Sequence, residues 1–263
     1  MNPIRRLLRH ALLGAALLVA VAKAEEAVPS ARDLAAQLSN KIQDGSSVLR
    51  LKMEIGKPGG GGKTVLQIQV KSQRTKSSTE LVYQILWPKD RKGESFLLRK
   101  AGGRAPGGSL FTPPGSMLPL TAAKMQDGVF GSELAYDDLV ENFFAWGNQA
   151  IVGTEVVDRV PCQILESKPG KGDATGYSKV RSWIDTKRMV TLRVEKFTGS
   201  GKLAKRIDTT RVSKDDAGNS TGSSFSLQRP GQDSVTEIEG SNIKHGMTFT
   251  AGDFTPEALR TLK

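Results

Sequence analysis

The sequence lacks most of the residues from which catalytic and metal sites are built. It contains one cysteine, Cys162, and two histidines, His10 and His245. One cysteine cannot form an internal disulfide, so we expect Cys162 to be a small, buried apolar residue. The sequence shows no Cys/His zinc spacing and no G-x-S-x-G nucleophile elbow. It therefore predicts no catalytic residues, no metal site and no cofactor, and it argues against an enzyme.

Long apolar runs are also missing, apart from one run near the N-terminus. Residues 11–22 are apolar, three arginines precede them, and the small-x-small sequence AKA follows. This pattern is typical of a secretory signal peptide, residues 1–24, cleaved after Ala24. An uncleaved anchor is the alternative, although a spanning helix needs roughly 20 apolar residues. Because no cysteine follows the run for lipid attachment, we expect a soluble, exported, non-lipidated mature protein. Residues 25–263 have a length that suits one large β domain.

Aromatic residues are scarce, at 6% of the chain, whereas glycine, with 28 residues, is frequent. This composition favours short strands joined by polar turns over a helical bundle. Apolar and polar residues alternate at 49–55, 66–70 and 190–194, as on strands with one buried face. The sequence predicts about eleven such strands, without the alternation of strands and helices that marks a parallel sheet. The expected fold is therefore mainly β and antiparallel.

Short helices are predicted at both ends of this strand pattern. Residues 30–43 carry an apolar stripe at helical spacing, and Ser30 with Asp33 resembles a capping box. A second short helix is predicted at 253–262, where a proline lies near the first turn.

A third helix is predicted in the middle of the chain, at residues 132–146, with its first serine as the N-cap. The apolar segment 113–125 is predicted to be an irregular loop that packs with this helix as a lid or plug. Asp137 and Asp138 fit the negative charge favoured near a helix N-terminus. A carboxylate pair of Asp137 with Glu141 is the alternative interpretation of these residues.

The formal net charge of +11 raises the question of an anionic partner. The basic residues are spread over most of the predicted strands and are not clustered with aromatic residues, so we do not expect nucleic-acid binding. Attraction to anionic lipid head groups or to an acidic partner fits an exported protein better. A solvated basic surface is the remaining alternative.

The central sequence GSELAYDDL, at 131–139, resembles the G-S-D-F-[ST]-Y-E-D-L signature of outer-membrane lipoprotein-sorting proteins with the LolA-like fold. Further pieces of that family's pattern occur in order at 88–93, 110–114, 153–165, 182–185, 197–205 and 254–259. Together they cover most of residues 48–262. This sequence departs from the signature at Glu133, where the family usually has aspartate, and at Ala135, where it has serine or threonine.

The resemblance implies a half-open antiparallel β-barrel with short helices covering its concave face. It also implies a periplasmic carrier that binds acyl chains of lipoproteins or lipids in an apolar cavity and sorts them towards the outer membrane. An inner-membrane transporter and an outer-membrane acceptor would be its partners. The alternative hypothesis is a module that senses lipid, or binds a partner, to regulate a membrane transporter or signalling complex.

Ten apolar side chains are candidates for lining this cavity and its lid, with plain core packing as the alternative for each. They are Phe96, Leu98, Leu110, Met117, Phe130, Leu134, Tyr136, Leu139, Phe143 and Trp146.

Overall fold

A computed structural model describes residues 29–43, 45–56, 61–102, 104–173, 175–240 and 243–261. The predicted signal peptide lies outside these residues. Within them, no helix is both long enough and apolar enough to cross a membrane.

The strands of the described chain form one antiparallel sheet. They are β1 (Gly45–Gly56), β2 (Thr64–Arg74), β3 (Ser78–Trp87), β4 (Ser95–Ala101), β5 (Gly107–Thr112), β6 (Ser116–Leu120), β7 (Asn148–Val157), β8 (Val160–Lys168), β9 (Lys179–Asp185), β10 (Val190–Phe197), β11 (Leu203–Lys214), β12 (Ser220–Gln228), β13 (Val235–Gly240) and β14 (Lys244–His245).

The sheet consists of two runs of sequential hairpins that meet in the middle. Across the sheet the order is β6-β5-β4-β3-β2-β1-β13-β12-β11-β10-β9-β8-β7, and β14 adds to the free end of β1. The two runs join where β13 pairs with β1, with Met53 opposite Ile238. Because β6 and β7 are the two edges, the sheet is open, which confirms the predicted half-open antiparallel architecture.

The described residues contain fourteen strands, more than the eleven expected, and the difference has a local cause. The segment 113–125 was predicted to be an irregular loop, but it contains the edge strand β6, paired with β5. Leu118 is exposed there, and Pro119 occupies an edge position, where a missing N–H removes no ladder hydrogen bond. The two-residue strand β14 is too short to show any alternation.

The N-terminal helix α1 (Ala31–Ile42) is confirmed. Ser30 is its N-cap, because its Oγ accepts a hydrogen bond from the backbone N of Asp33 at 3.2 Å and donates to the Asp33 carboxylate at 2.6 Å. The expected C-terminal helix is instead two 3₁₀ turns, Ala251–Phe254 and Glu257–Arg260.

The central helix is much shorter than predicted. Only α2 (Tyr136–Val140) is α-helical, between the 3₁₀ turns Val129–Gly131 and Phe143–Ala145. Ser132 is not its cap, since its Oγ donates to the carbonyl of Val129 at 2.7 Å. Instead, the carboxylate of Asp138 caps the N-terminus of α2, because it accepts a hydrogen bond from the backbone N of Ala135 at 2.8 Å. We call residues 125–146 the plug segment.

The plug segment and α1 cover different parts of the concave face. Apolar side chains of β1–β4 pack beneath α2, where the Phe96 ring stacks on Tyr83 at 4.8 Å and meets Tyr136 edge-on at 4.9 Å. At the other end, α1 packs with Phe143 and Trp146 over β8 and β9. On the opposite face, the C-terminal turns cover β3–β5.

Candidate functional site

An apolar hollow of about 380 Å³ lies between the plug segment and the centre of the sheet. Here β11, β12 and β13 turn apolar side chains towards empty space between the two covered regions. The hollow is lined by Leu49, Leu51, Tyr83, Leu134, Leu139, Ile207, Ser213, Lys214, Thr221, Gly222, Ser223, Phe225, Leu227, Ile238, Gly240 and Ile243. Its volume falls within the roughly 300–1,000 Å³ typical of small-molecule sites.

A second hollow, of about 550 Å³, adjoins the first under the end of α1. The two share the lining residues Thr221, Gly222, Phe225 and Ile243, so they lie side by side along β12. Gly222 is needed at this boundary, because a Cβ there would lie 2.8 Å from the ring of Phe225. Lys41 holds the end of α1 over the second hollow by donating to the carbonyls of Met189 at 3.0 Å and Ser220 at 3.1 Å.

Of the ten predicted lining residues, the structure places two, Leu134 and Leu139, on the wall of the first hollow. The others lie elsewhere in the protein, in three groups. Phe96 and Leu98 are buried beneath the plug segment with Leu110 packed against them, and Phe130 and Tyr136 of the segment itself pack into the same core. Phe143 and Trp146 pack with α1, and Trp146 also lines a separate hollow at the ends of α1 and α2. Met117 packs on the opposite face with the C-terminal turns. Whether any of the ten binds a ligand stays a prediction.

The lining residues that the sequence analysis missed include Leu49, Leu51 and Tyr83 from β1 and β3, and side chains from the strands late in the chain. Ile207, Phe225 and Ile238 line the first hollow from β11, β12 and β13. The sequence analysis predicted strands in this part of the chain, but it found no regular alternation of apolar residues along them. A predicted strand does not show which part of the sheet the helices leave open.

A buried cluster of charges attaches the plug segment to the far half of the sheet. The side chains of Asp138, Glu141, Lys196 and Lys205 are each only 2% exposed. Lys196 Nζ lies 2.8 Å from Asp138 Oδ1 and 2.9 Å from Glu141 Oε2, and Lys205 binds the other oxygen of Asp138. Tyr177 completes the cluster, since its hydroxyl donates to Asp138 and its ring lies under Lys196.

The ionisation of this cluster follows from its burial and its pairing. Burial by itself disfavours the charge on Asp138, but Lys196 and Lys205 outweigh it and hold the pKa of Asp138 well below its usual range. Burial likewise opposes the charge on Lys196, and its two carboxylate partners raise the pKa of Lys196 despite it. Burial lowers the pKa of Lys205, against the opposing effect of its contact with Asp138.

Asp137 is the exception among these acids. It is buried without a cation in hydrogen-bonding contact, and its carboxylate accepts only from the Gln126 side chain, at 3.2 Å, among the contacts described. Burial, together with the nearby charge of Glu141, raises the pKa of Asp137 to about 6. The interpretation of Asp137 and Asp138 as a simple helix-terminal charge pattern is therefore incomplete, because Asp138 also binds two lysines of the sheet.

A second attachment of the plug segment to the sheet lies at Glu133, on the N-terminal side of α2. Glu133 is buried, and its carboxylate accepts hydrogen bonds from the hydroxyls of Ser234 and Thr236. Its backbone N donates to Thr236 Oγ1 at 3.1 Å, and its carbonyl accepts from Arg229 at 3.1 Å. The plug segment is therefore fixed to β13 on one side of the first hollow and to β10 and β11 on the other.

Comparison with known proteins agrees with this architecture. A family model described as "-like: Uncharacterized protein" matches residues 77–261, which is more than half of the chain. The chain belongs to this family. No curated protein matches the sequence.

Solved structures share the fold of this family member at low sequence identity. A DUF1329 family protein from Desulfovibrio piger superposes with a TM-score of 0.79 at 22% identity, over 87% of this chain and 97% of that one. A putative outer membrane lipoprotein-sorting protein domain from Vibrio parahaemolyticus gives 0.74 at 19% identity, over 86% and 97%. A LolA superfamily protein from Nitrosomonas europaea gives 0.69 at 18% identity, over 88% and 100%. The LolA-like fold expected from the sequence is confirmed.

Proposed function

We propose that this protein is a periplasmic carrier that binds the acyl chains of lipids or lipoproteins in the two hollows and delivers them towards the outer membrane. In this proposal residues 1–24 direct export and are removed after Ala24, and residues 25–263 act as one soluble, non-lipidated domain. A membrane transporter would load it and an outer-membrane acceptor would unload it.

The observation that carries the proposal is the apolar wall of the first hollow. Leu49, Leu139, Ile207, Phe225 and Ile238 face one another across a space that a folded protein normally fills. Transfer of an acyl chain from water into such a space gains about 0.8 kcal/mol for each CH₂ group buried. An amphiphile could therefore be held without any covalent step, and one of the structures that share the fold is described as a putative outer membrane lipoprotein-sorting protein domain.

The plug segment would act as the lid of this site. It supplies Leu134 and Leu139 to the wall, and both ends of this stretch are held to the sheet by polar contacts of Glu133 and Asp138. Because Tyr136 and Val140 of the same segment are buried in the core, lipid would enter and leave through a local movement of Leu134 and Leu139 away from the wall while the sheet stays folded.

The first test is native mass spectrometry of the protein purified from a periplasmic extract, with lipid extraction in parallel. We expect phospholipid or acylated peptide at near-stoichiometric amount, and transfer of added lipid from donor to acceptor vesicles. Lipid that binds but is never transferred would favour the sensor hypothesis. A protein that neither carries lipid nor takes it up would contradict both.

A matched pair of variants tests the location of the site. Thr221→Phe places a ring where the two hollows meet, at a half-buried position, and should reduce lipid uptake several-fold while the protein stays folded. Thr154→Phe makes the same change at an exposed position of the edge strand β7 and should leave uptake unchanged. Equal uptake by Thr221→Phe and the wild type would show that these hollows are not the site.

A further inference from the structure

A third hollow, of about 240 Å³, has a very different lining from the two apolar ones. It is formed by the β2–β3 turn, the ends of α1 and α2, and the end of β4. Its walls carry four cationic side chains and one acidic one, namely Arg74, Lys76, Lys100, Arg104 and Asp173. The hydroxyl residues Thr75, Ser77, Ser78 and Thr79 complete that side of the wall.

Three of the four cations of this basic hollow have no acidic side chain in ion-pairing distance within the described residues. Lys76, Lys100 and Arg104 make no ion pair with any residue in the described part of the chain. Asp173 is the one acidic side chain of the lining, and its carboxylate accepts a hydrogen bond from the backbone N of Gly170 at 2.8 Å, so the basic side chains outnumber the acidic one by four to one. A group of like charges around one hollow raises the local potential and attracts an anion.

The basic hollow adjoins the proposed lipid site at three places. Ile42, at the end of α1, lines both the basic hollow and the second apolar hollow. In α2, the Leu139 side chain faces the first apolar hollow, while the next residue, Val140, lines the basic one. Arg74 connects the two directly, because its Nη2 donates to the carbonyl of Leu139 at 2.8 Å.

We propose that the basic hollow binds the phosphate of an anionic amphiphile whose acyl chains occupy the apolar hollows. This inference rests on the proposed lipid-binding function and adds the class of head group. Arginine and lysine are the side chains that bind phosphate oxygens by charge-assisted hydrogen bonds. The lining of cations next to an apolar wall matches a phosphatidylglycerol-like molecule better than a zwitterionic one, whose own cation would meet the lysines.

The test compares two lipids with identical chains, phosphatidylglycerol and phosphatidylcholine, by native mass spectrometry after incubation with the mature protein. We expect the wild type to take up the anionic lipid at least about threefold better at low salt, with the preference falling as ionic strength rises. The double variant Lys76→Glu with Arg104→Glu should lose this preference and keep its uptake of phosphatidylcholine. Both side chains are exposed, so the fold should not be affected.

Lys89→Glu with Lys92→Glu is the matched control. It makes the same change in net charge at two exposed positions in the β3–β4 turn, at the other end of β3, and should keep the wild-type preference. Retention of the preference by the Lys76→Glu, Arg104→Glu protein, or its absence in the wild type, would overturn the inference.

Two further outcomes separate this inference from the function on which it rests. Uptake of both lipids equally by the wild type leaves the carrier proposal standing and overturns only the head-group site. No uptake of either lipid overturns both. Glycerophosphoglycerol, the same head group without acyl chains, is the remaining probe. If it binds as tightly as the whole lipid, the basic hollow is a site for soluble phosphates, and the proposal that its ligand is an amphiphile is overturned.

Discussion

Asp137 and Asp138 are adjacent in sequence, yet the fold gives their carboxyl groups opposite properties. Asp138 binds two lysines and its pKa is depressed, whereas Asp137 is buried with an amide as partner and its pKa is raised to about 6. Consecutive residues of a helix point in directions about 100° apart, so one faces the lysines and the other does not. The charge on Asp137 is therefore a cost to the folded protein near neutral pH.

Asp137→Asn should stabilise the protein at neutral pH. Since the folded pKa of Asp137 lies above the ordinary value of 3.8, the folded state holds this proton more tightly, and stability falls as pH rises from about 4 to about 6. The asparagine removes that cost, on the order of 2 kcal/mol above about pH 6.5, and can still accept from Gln126.

Thermal unfolding of the wild type and Asp137→Asn at neutral pH and at about pH 4 tests this direction. The gain in stability from the substitution should be largely lost at the lower pH, where Asp137 is protonated in the folded protein. Asp90→Asn, at an exposed turn position, is the control and should change the midpoint at neither pH. A gain for Asp137→Asn that is equal at both pH values would contradict the assigned ionisation.

At the scale of elements, α2 is held in place by charges more than by helix propensity. A helix of five residues is too short to be stable by itself. Its partners Lys196 and Lys205 lie 58 and 67 residues further along the chain from Asp138. The buried cluster thus joins the plug segment to β10 and β11 across the edge of the first hollow.

Asp138→Asn should loosen this attachment. It leaves two buried lysines against one carboxylate, and breaking a buried pair by removing one partner costs about 3–5 kcal/mol. Adding Lys205→Met removes the cation whose acidic partner in the cluster is Asp138 and leaves Lys196 paired with Glu141. This second change should recover much of the loss, so the two changes should be far from additive. Urea denaturation of both single variants and the double variant measures this coupling.

Hydrogen exchange locates the effect in the molecule. We expect faster exchange in Asp138→Asn for the plug segment and unchanged protection in β2 and β3, whose core lies on the other side of α2. Additive losses in the three variants, or faster exchange throughout the sheet, would show that the cluster does not specifically hold the plug segment.

These elements also show how far the sequence alone could lead. The alternation of apolar and polar residues predicted strands and their buried face, as at Leu51 and Met53 of β1, because this pattern can be recognised within a few consecutive residues. The length of α2 could not be predicted from its own residues. Asp138, not Ser132, caps the helix N-terminus, and Asp138 is held in place by ion pairs with two lysines that are distant in sequence. Leu134 and Leu139 were identified as candidate lining residues, but Ile207 and Phe225 were not, because which strands remain uncovered depends on tertiary packing.

At the scale of the whole molecule, the protein is an open sheet whose two halves are covered by different segments. The plug segment covers one half and α1 the other, and the hollows lie where these covers meet the central strands. The halves are joined through the pairing of β1 with β13 and through the cluster at Asp138. A ligand in the hollows would contact both halves and add to the contacts between them.

The mature protein should therefore unfold in one transition that moves upward when lipid is bound. The continuous sheet predicts coincident transitions by circular dichroism and by tryptophan fluorescence, as expected for one cooperative unit. A ligand at about 100 times its Kd stabilises the folded state by about 2.7 kcal/mol, which corresponds to a rise of about 5–10 °C for a domain of this size. Thr221→Phe should show a much smaller rise and Thr154→Phe the full one. Two separate transitions would contradict a single cooperative unit, and a rise of equal size in both variants would place the bound lipid outside the hollows.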